Sequence, residues 1–217
     1  MRRIGIALAA CCLSVPAGGA SNPSSPSVTL EVIVKFARDS DPGRLVRQAL
    51  KENPTDLRAL ADVQERLHAS TGVAMEAHRI TSGAELIFRI PEQALLDTVR
   101  RAVDGHPDVS ATRLMAVQHE NPNLPESLLV LEFHESSDEA GLMRKARGDP
   151  SHANELQELA TRLCDPNGVP VRGDAGTNAE MIITVDRPAL LRKLVAKLSD
   201  LEYIDYAQAN TSMQIMK

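Results

Sequence analysis

The sequence predicts an α+β protein made of two tandem βαββαβ units behind a short leader. Three observations predict it. A strand–helix–strand pattern at Glu180–Ala207 recurs, without a gap, at Glu85–Ala111. The match continues upstream of both copies at nearly the same spacing. Each copy alternates short apolar runs with runs of helical period, so neither an all-α nor an all-β class fits.

The second copy carries the pattern most plainly. Met181–Val185 is a short apolar run holding Ile182, Ile183 and Val185. Bounded by polar residues and Pro188, it reads as a buried strand. Leu190, Leu191, Leu194, Val195 and Leu198 then follow helical spacing, with Arg192, Lys193 and Lys197 between them. Tyr203–Ala207 is extended again. In the first copy Leu86, Ile87, Phe88 and Ile90 stand opposite Met181, Ile182, Ile183 and Val185. Leu95, Leu96, Val99 and Val103 match Leu190, Leu191, Leu194 and Leu198, and Val109 matches Ile204, every pair 95 residues apart. Further upstream Val32–Phe36 faces Leu129–Phe133 at 97, and Leu60, Val63, Leu67 and Gly72 face Leu156, Leu159, Leu163 and Gly168 at 96. The drift falls where loops are expected. Four matching segments in one order identify a tandem duplication, with a period too long for a solenoid and suited to a small domain.

The elements follow in order. Residues 1–20 hold Arg2 and Arg3, an apolar stretch from Ile4 to Ala17, and Gly18-Gly19-Ala20. A basic start, an apolar run and small residues at a cleavage site form a secretory signal peptide. It is too short for a stable membrane anchor, so no transmembrane segment is expected once it is removed. Leu8-Ala9-Ala10-Cys11 resembles a bacterial lipoprotein cleavage box, but the apolar run before it is short, which favours soluble export over a lipid anchor at Cys11. Either route places the protein in the bacterial envelope, periplasmic or secreted. Residues 21–27, S-N-P-S-S-P-S, are a linker by composition.

Unit one spans 28–120. Val28–Ala37 reads as a strand, with Val32, Val34 and Phe36 on one face. Asp39–Pro54 reads as a polar connection with a helical patch at Leu45, Val46 and Leu50. A helix over Thr55–Ser70 starts from a Thr55 or Asp56 cap and ends at Gly72. Val73–Ile80 reads as an edge strand, Glu85–Ile90 as the central one. Pro91 opens the second helix, and Val109–His119 is the last strand. Residues 121–126 read as the linker between units. Unit two, 127–217, repeats the order: a strand at Ser127–Glu135, helical runs at Asp138–Arg147 and Ala153–Leu163, a strand at Val169–Arg172, the strand–helix–strand pattern, and a tail from Gln208.

Composition excludes some roles. Net charge is −5, moving to −7 when the leader takes Arg2 and Arg3 with it, and no basic run is present. Nucleic-acid binding needs clustered Lys and Arg for phosphate neutralisation, so no nucleic-acid partner is expected. Three Phe, two Tyr and no Trp leave the core to aliphatic residues, with no aromatic pair on the strands for base stacking. After the leader, Cys164 stands alone, so no intrachain disulfide is expected; its place at a helix end reads as a small packed residue rather than a reactive thiol. No G-x-S-x-G, H-E-x-x-H, P-loop or paired-Cys motif is present, so no enzyme and no cofactor are expected. His119-Glu120 and His134-Glu135 end equivalent strands and read as solvated loop residues rather than metal ligands.

The order βαββαβ gives a four-stranded antiparallel sheet with both helices on one face, the ferredoxin-like arrangement. Val32, Val34, Phe36, Leu86, Phe88 and Ile90 are expected to face the helices. The open faces would carry Ile33, Lys35, Ile87 and Arg89 in unit one, and Val130, Glu132, Ile182 and Thr184 in unit two. Two readings stand for these faces: docking surfaces, or the contact between the units.

V-I-V-K-F at the first strand resembles the start of the propeptide domains of subtilisin-like proteases, the I9 inhibitor family. The helix ending near Gly before a Val-starting strand fits too. So does the close Leu194–Leu198 then Asp200-Leu201-Glu202-Tyr203-Ile204-Asp205, similar to the family's L-x-x-L-x-x-x-x-x-V-x-x-V-E. These are hydrophobic patterns spanning nearly all of 28–213. The family often has a second acid after this pair, where this chain has Tyr206-Ala207, and unit one has Val109-Ser110 with no acid. The resemblance implies binding, with inhibition or folding assistance, of a subtilisin-like serine protease. Asp205 would cap protease helices, and Ala209, Asn210, Thr211, Ser212 and Met213 would enter the active site like a substrate. No protease domain follows in the sequence, so action in trans is expected. The alternative is a non-enzymatic envelope interaction or small-ligand-binding module.

Overall fold

A computed structural model of the chain describes residues 30–117, 125, 127–164 and 168–210. The signal peptide and linker predicted over 1–27 lie outside them. The described chain forms two four-stranded antiparallel sheets and six α-helices, so the α+β class holds.

Repeat one supplies β1 (Glu31–Phe36), α1 (Asp41–Glu52), α2 (Ala61–Thr71), β2 (Glu76–Ile80), β3 (Leu86–Arg89), α3 (Glu92–Val103) and β4 (Val109–Ala116). Repeat two supplies β5 (Ser127–Phe133), α4 (Asp138–Ala146), α5 (Ala153–Cys164), β6 (Val171–Ala175), β7 (Glu180–Val185), α6 (Arg187–Ser199) and β8 (Ile204–Ala209). Single 3₁₀ turns at Leu57–Leu60 and Pro150–His152 lead into α2 and α5.

Asp39–Pro54 is more than a connection with a helical patch. Ser40 caps a full helix there, its hydroxyl accepting from the Gly43 N–H at 3.1 Å, with Pro42 in the first turn. Asp56 caps the 3₁₀ turn rather than α2, accepting from the Arg58 N–H at 3.2 Å. Gly72 closes α2 in the left-handed region, φ 73°, where glycine carries no Cβ penalty. Pro91 precedes α3 as its cap residue. β6 starts two residues later than predicted and runs on three residues further, to Ala175.

The strand order departs from two self-contained units. One sheet runs β2-β3-β1-β8, the other β4-β5-β7-β6. Each repeat's last strand therefore joins the other repeat's sheet, and the second helices go with them. Helix α3 packs on β4, β5, β7 and α5, while α6 packs on β8, β1 and α2. One body is residues 30–90 with 187–210; the other is the continuous stretch 92–185 inserted between them. The segment predicted as a linker, 121–126, does not separate the bodies: it lies between β4 and β5, which are neighbours in one sheet, Ala116 opposite Ser127.

The cores are aliphatic, as composition demands. Val32, Val34, Phe36, Leu86, Phe88 and Ile90 are buried in one body, and Leu129, Leu131, Phe133, Met181, Ile183 and Val185 in the other. Leu95, Leu96, Val99 and Val103 of α3, with Leu190, Leu191, Leu194 and Leu198 of α6, cover the exchanged positions. At about 25 cal/mol per Å² of apolar surface, each such leucine contributes roughly 1.5–3 kcal/mol. The opposite sheet faces stay open. Glu76, Arg79 and Arg89 are exposed on one, Arg113, Met115 and Arg172 on the other, so neither open face is buried against the other body.

Candidate functional site

Of the residues singled out in the sequence, Asp205 and Ala209 lie on β8 and Asn210 directly follows it. This strand is held by β1, with Lys35 opposite Tyr206 but Phe36 opposite Ile204. Asp205 is the extra residue in that register shift, and it is exposed. A bulge re-aims a side chain and interrupts pairing. The exchanged strand of repeat one has the same irregularity: Val109 faces Phe133 while Ala111 faces Glu132. Ser110, the counterpart of Asp205, fills that place and donates from Oγ to the Glu132 carbonyl at 3.0 Å. The irregularity is shared; the negative charge belongs to β8 alone. Just before β8, the Tyr203 ring stacks on Phe36 with centroids 6.5 Å apart, and the Ala37 N–H donates to the Tyr203 carbonyl at 3.0 Å.

The expected tail starts later than the sequence suggested. Ala209 pairs with Val32 inside the sheet. The Asn210 N–H donates to the Glu31 carbonyl at 2.9 Å, and Asn210 Nδ2 donates to Glu31 Oε2 at 2.6 Å. Ala209 and Asn210 are thus part of the fold rather than a loose end. Thr211, Ser212 and Met213 lie outside the described residues.

A pair of acids that sequence reasoning passed over secures the exchanged strands. Glu85 accepts from the Tyr206 hydroxyl of β8, and from Thr81 Oγ1 at 2.8 Å. Its repeat counterpart, Glu180, accepts from Arg113 of β4 and from Thr177. The Tyr206 hydroxyl, then the Thr81 hydroxyl and the charge of Lys35, hold the Glu85 carboxyl below the usual carboxylate range. Glu85 in turn pushes the Tyr206 hydroxyl up. The signal was present in the sequence, because both acids align in the repeat; what was missing was which strand each would meet.

The other candidates are soon placed. Met115 is 46% exposed on the open face of the second sheet, opposite the half-buried Leu128. Ile87 and Val130, expected on open faces, are buried there, beside the long side chains of Arg79 and Arg113 that face them across the strands. Cys164 is fully buried, and burial pushes its thiol up to about 12. Among the described residues no three His, Cys, Asp or Glu are grouped to hold a metal ion; His134 is exposed, and His119 and Glu120 lie outside the described residues. A shallow groove between α4 and α5 is crossed by the ion pair of Arg162 with Glu139 at 3.3 Å, and at one end His152 Nδ1 hydrogen-bonds Glu155 at 3.2 Å. No described helix is long and apolar enough to cross a membrane. Comparisons with known protein families, curated proteins and solved structures find no match for this chain.

Proposed function

We propose that the chain is an exported binding protein of two ferredoxin-like units that have exchanged their second helix and last strand. In each sheet the exchanged strand takes the outer place that a unit's own fourth strand would take. We further propose that it binds a subtilisin-like serine protease in trans, through Asp205 and the segment after Asn210. One observation carries this reading: the acid that the resemblance nominates stands exposed at a register shift on an outer strand, on the path to that segment. There it can reach the N-terminus of a protease helix, where a carboxylate is favoured.

The pairing of Ala209 and Asn210 dictates the test. Cutting after Tyr206 would strip β1 of partners, so the truncation belongs after Asn210. Residual subtilisin activity is titrated with the chain from Ser21 to Lys217, the same chain ending at Asn210, and Asp205→Ala. Inhibition by the first, lost on truncation and weakened by Asp205→Ala, supports the reading. No inhibition, or rapid digestion of the intact protein, sinks it for general subtilisins.

A second reading rests on Met115. An exposed Met opposite the half-buried Leu128 suits an interaction module that docks through the open sheet face. A partner held by the chain ending at Asn210 but lost by Met115→Glu would favour it.

A further inference from the structure

The chain crosses between its two bodies twice, at Ile90–Glu92 and at Asp186–Arg187. Both crossings open a helix. Glu92 is the first residue of α3 and Arg187 the first of α6. They are the same position of the two repeats, 95 residues apart, and they meet. Arg187 Nε donates to Glu92 Oε1 at 3.1 Å and Nη2 to Oε2 at 3.2 Å. The Ser127 N–H adds a donor to Glu92 Oε2 at 3.3 Å. The side chains are 9% and 1% exposed.

An isologous interface joins equal parts about a two-fold axis, and a position that meets its own counterpart lies on that axis. Two equal repeats would place like residues there. Glu facing Glu, or Arg facing Arg, would bury like charges without the compensation that a buried ion needs. Glu facing Arg is available only to unlike repeats. A buried ion pair is weak evidence for stability, and fixing register or partner is its best-attested use.

We infer that Glu92 and Arg187 form a pairing code at the crossing. The code makes repeat one accept the α6–β8 arm of repeat two, and it penalises like-with-like exchange with a second copy of this chain. In such an exchange repeat one of one molecule would take the α3–β4 arm of another, bringing Glu92 onto Glu92. Repeat two would bring Arg187 onto Arg187. The inference stands apart from the protease reading.

The test uses the full mature chain, refolded from denaturant over a range of protein concentrations and sized by light scattering. Joining the repeats gives their mutual encounter an effective concentration of about millimolar, so high protein concentrations are needed to expose like-with-like exchange. Wild type and Glu92→Arg/Arg187→Glu should refold as monomers. The neutral pair Glu92→Gln/Arg187→Gln should yield a dimer fraction that grows with concentration. A neutral variant as monomeric as wild type overturns the inference, as does a wild type that dimerises equally. Urea unfolding supplies a second readout. Glu92→Arg and Arg187→Glu should each lower the midpoint, and the double reversal should recover part of the loss. Recovery falls short of full because Arg at position 92 cannot accept from Ser127. A double reversal no better than the sum of the single changes overturns the pairing itself.

Discussion

Gly173→Ala tests how closely helix α5 lies on β6. Gly173 is buried in mid-strand, and a Cβ built there would sit 2.6 Å from the Ala160 Cβ, 3.1 Å from the Leu156 carbonyl oxygen and 3.3 Å from Met181 Sδ. Carbon atoms rest at about 3.5–4.0 Å, so helix and strand must part by roughly 1 Å. Overpacking of this kind costs about 1–3 kcal/mol. Without the clash, Gly to Ala would stabilise by about 0.4–1 kcal/mol through the unfolded chain. The net expectation is a loss of about 1–2 kcal/mol. With a urea slope of about 2–3 kcal/mol/M, the midpoint should fall by about 0.3–1 M at unchanged slope. Ala160→Gly removes the nearest of these atoms and leaves the Leu156 oxygen and Met181 Sδ, so in that background Gly173→Ala should cost clearly less. A midpoint that stays level or rises in the wild-type background would refute the packing argument. So would an equal loss in both backgrounds. Gly141 is the contrast: nothing lies within 4 Å of a Cβ there, and Gly141→Ala in helix α4 should stabilise by roughly 1 kcal/mol.

Other outcomes follow from the same contacts. Tyr206→Phe should lower stability by at most about 1 kcal/mol, the range of exposed polar contacts. Because Glu85 is held below its ordinary value, its contribution is complete above pH ~4.3 and fades as pH falls through the lowered value. Tyr206, pushed up, loses its contribution as pH rises past ~10. The difference between wild type and Tyr206→Phe should therefore be flat from about pH 5 to 9 and shrink on both sides; a gap unchanged at pH 3 would contradict the contact. Cys164 should resist iodoacetamide at pH 8 in the native protein and react after unfolding in urea, since only the thiolate attacks and burial holds its pKa at about 12. Prompt stoichiometric labelling of native protein would show an exposed thiol instead. A chain ending at Tyr206 should unfold at clearly lower urea than one ending at Asn210, because Ala207 and Ala209 pair with Val34 and Val32; equal midpoints would mean that β8 adds nothing beyond Tyr206.

Much of the architecture could be read directly. The repeat, the helix-facing sets Val32–Val34–Phe36 and Leu86–Phe88–Ile90, and the Gly72 cap all rest on local periodicity and backbone sterics, which a sequence carries in full. The exchange could not be read that way. Alternation along a strand reports which face is buried, not which neighbour supplies the edge. Val109 and Ile204 occupy equivalent places, so β4 and β8 suit either sheet by pattern. The site suffered the same loss. Asp205 is nominated only by its place in a closing motif, and the pinning of Ala209 and Asn210 depends on β1 of the other repeat. Glu92 and Arg187 left a trace. They are opposite charges at one repeat position, just ahead of the matched leucines of α3 and α6. Charge alone does not single that pair out, because Asp97 and Arg192 are opposite charges at one repeat position too, and Asp97 pairs with Arg100 and Arg101 of its own helix.

The distance along the chain between β1 and β8 bears on how the protein is made. Phe36 leaves the ribosome 168 residues ahead of its edge partner Ile204. At roughly 5–20 residues per second, β1 waits about ten to thirty seconds for β8. During that wait the continuous stretch 92–185 has its whole sheet in hand, whereas the first body has an open edge. An unpaired edge is a template for any extended chain nearby. Vectorial synthesis thus leaves this protein one interval of exposure, which the arrival of β8 brings to a close.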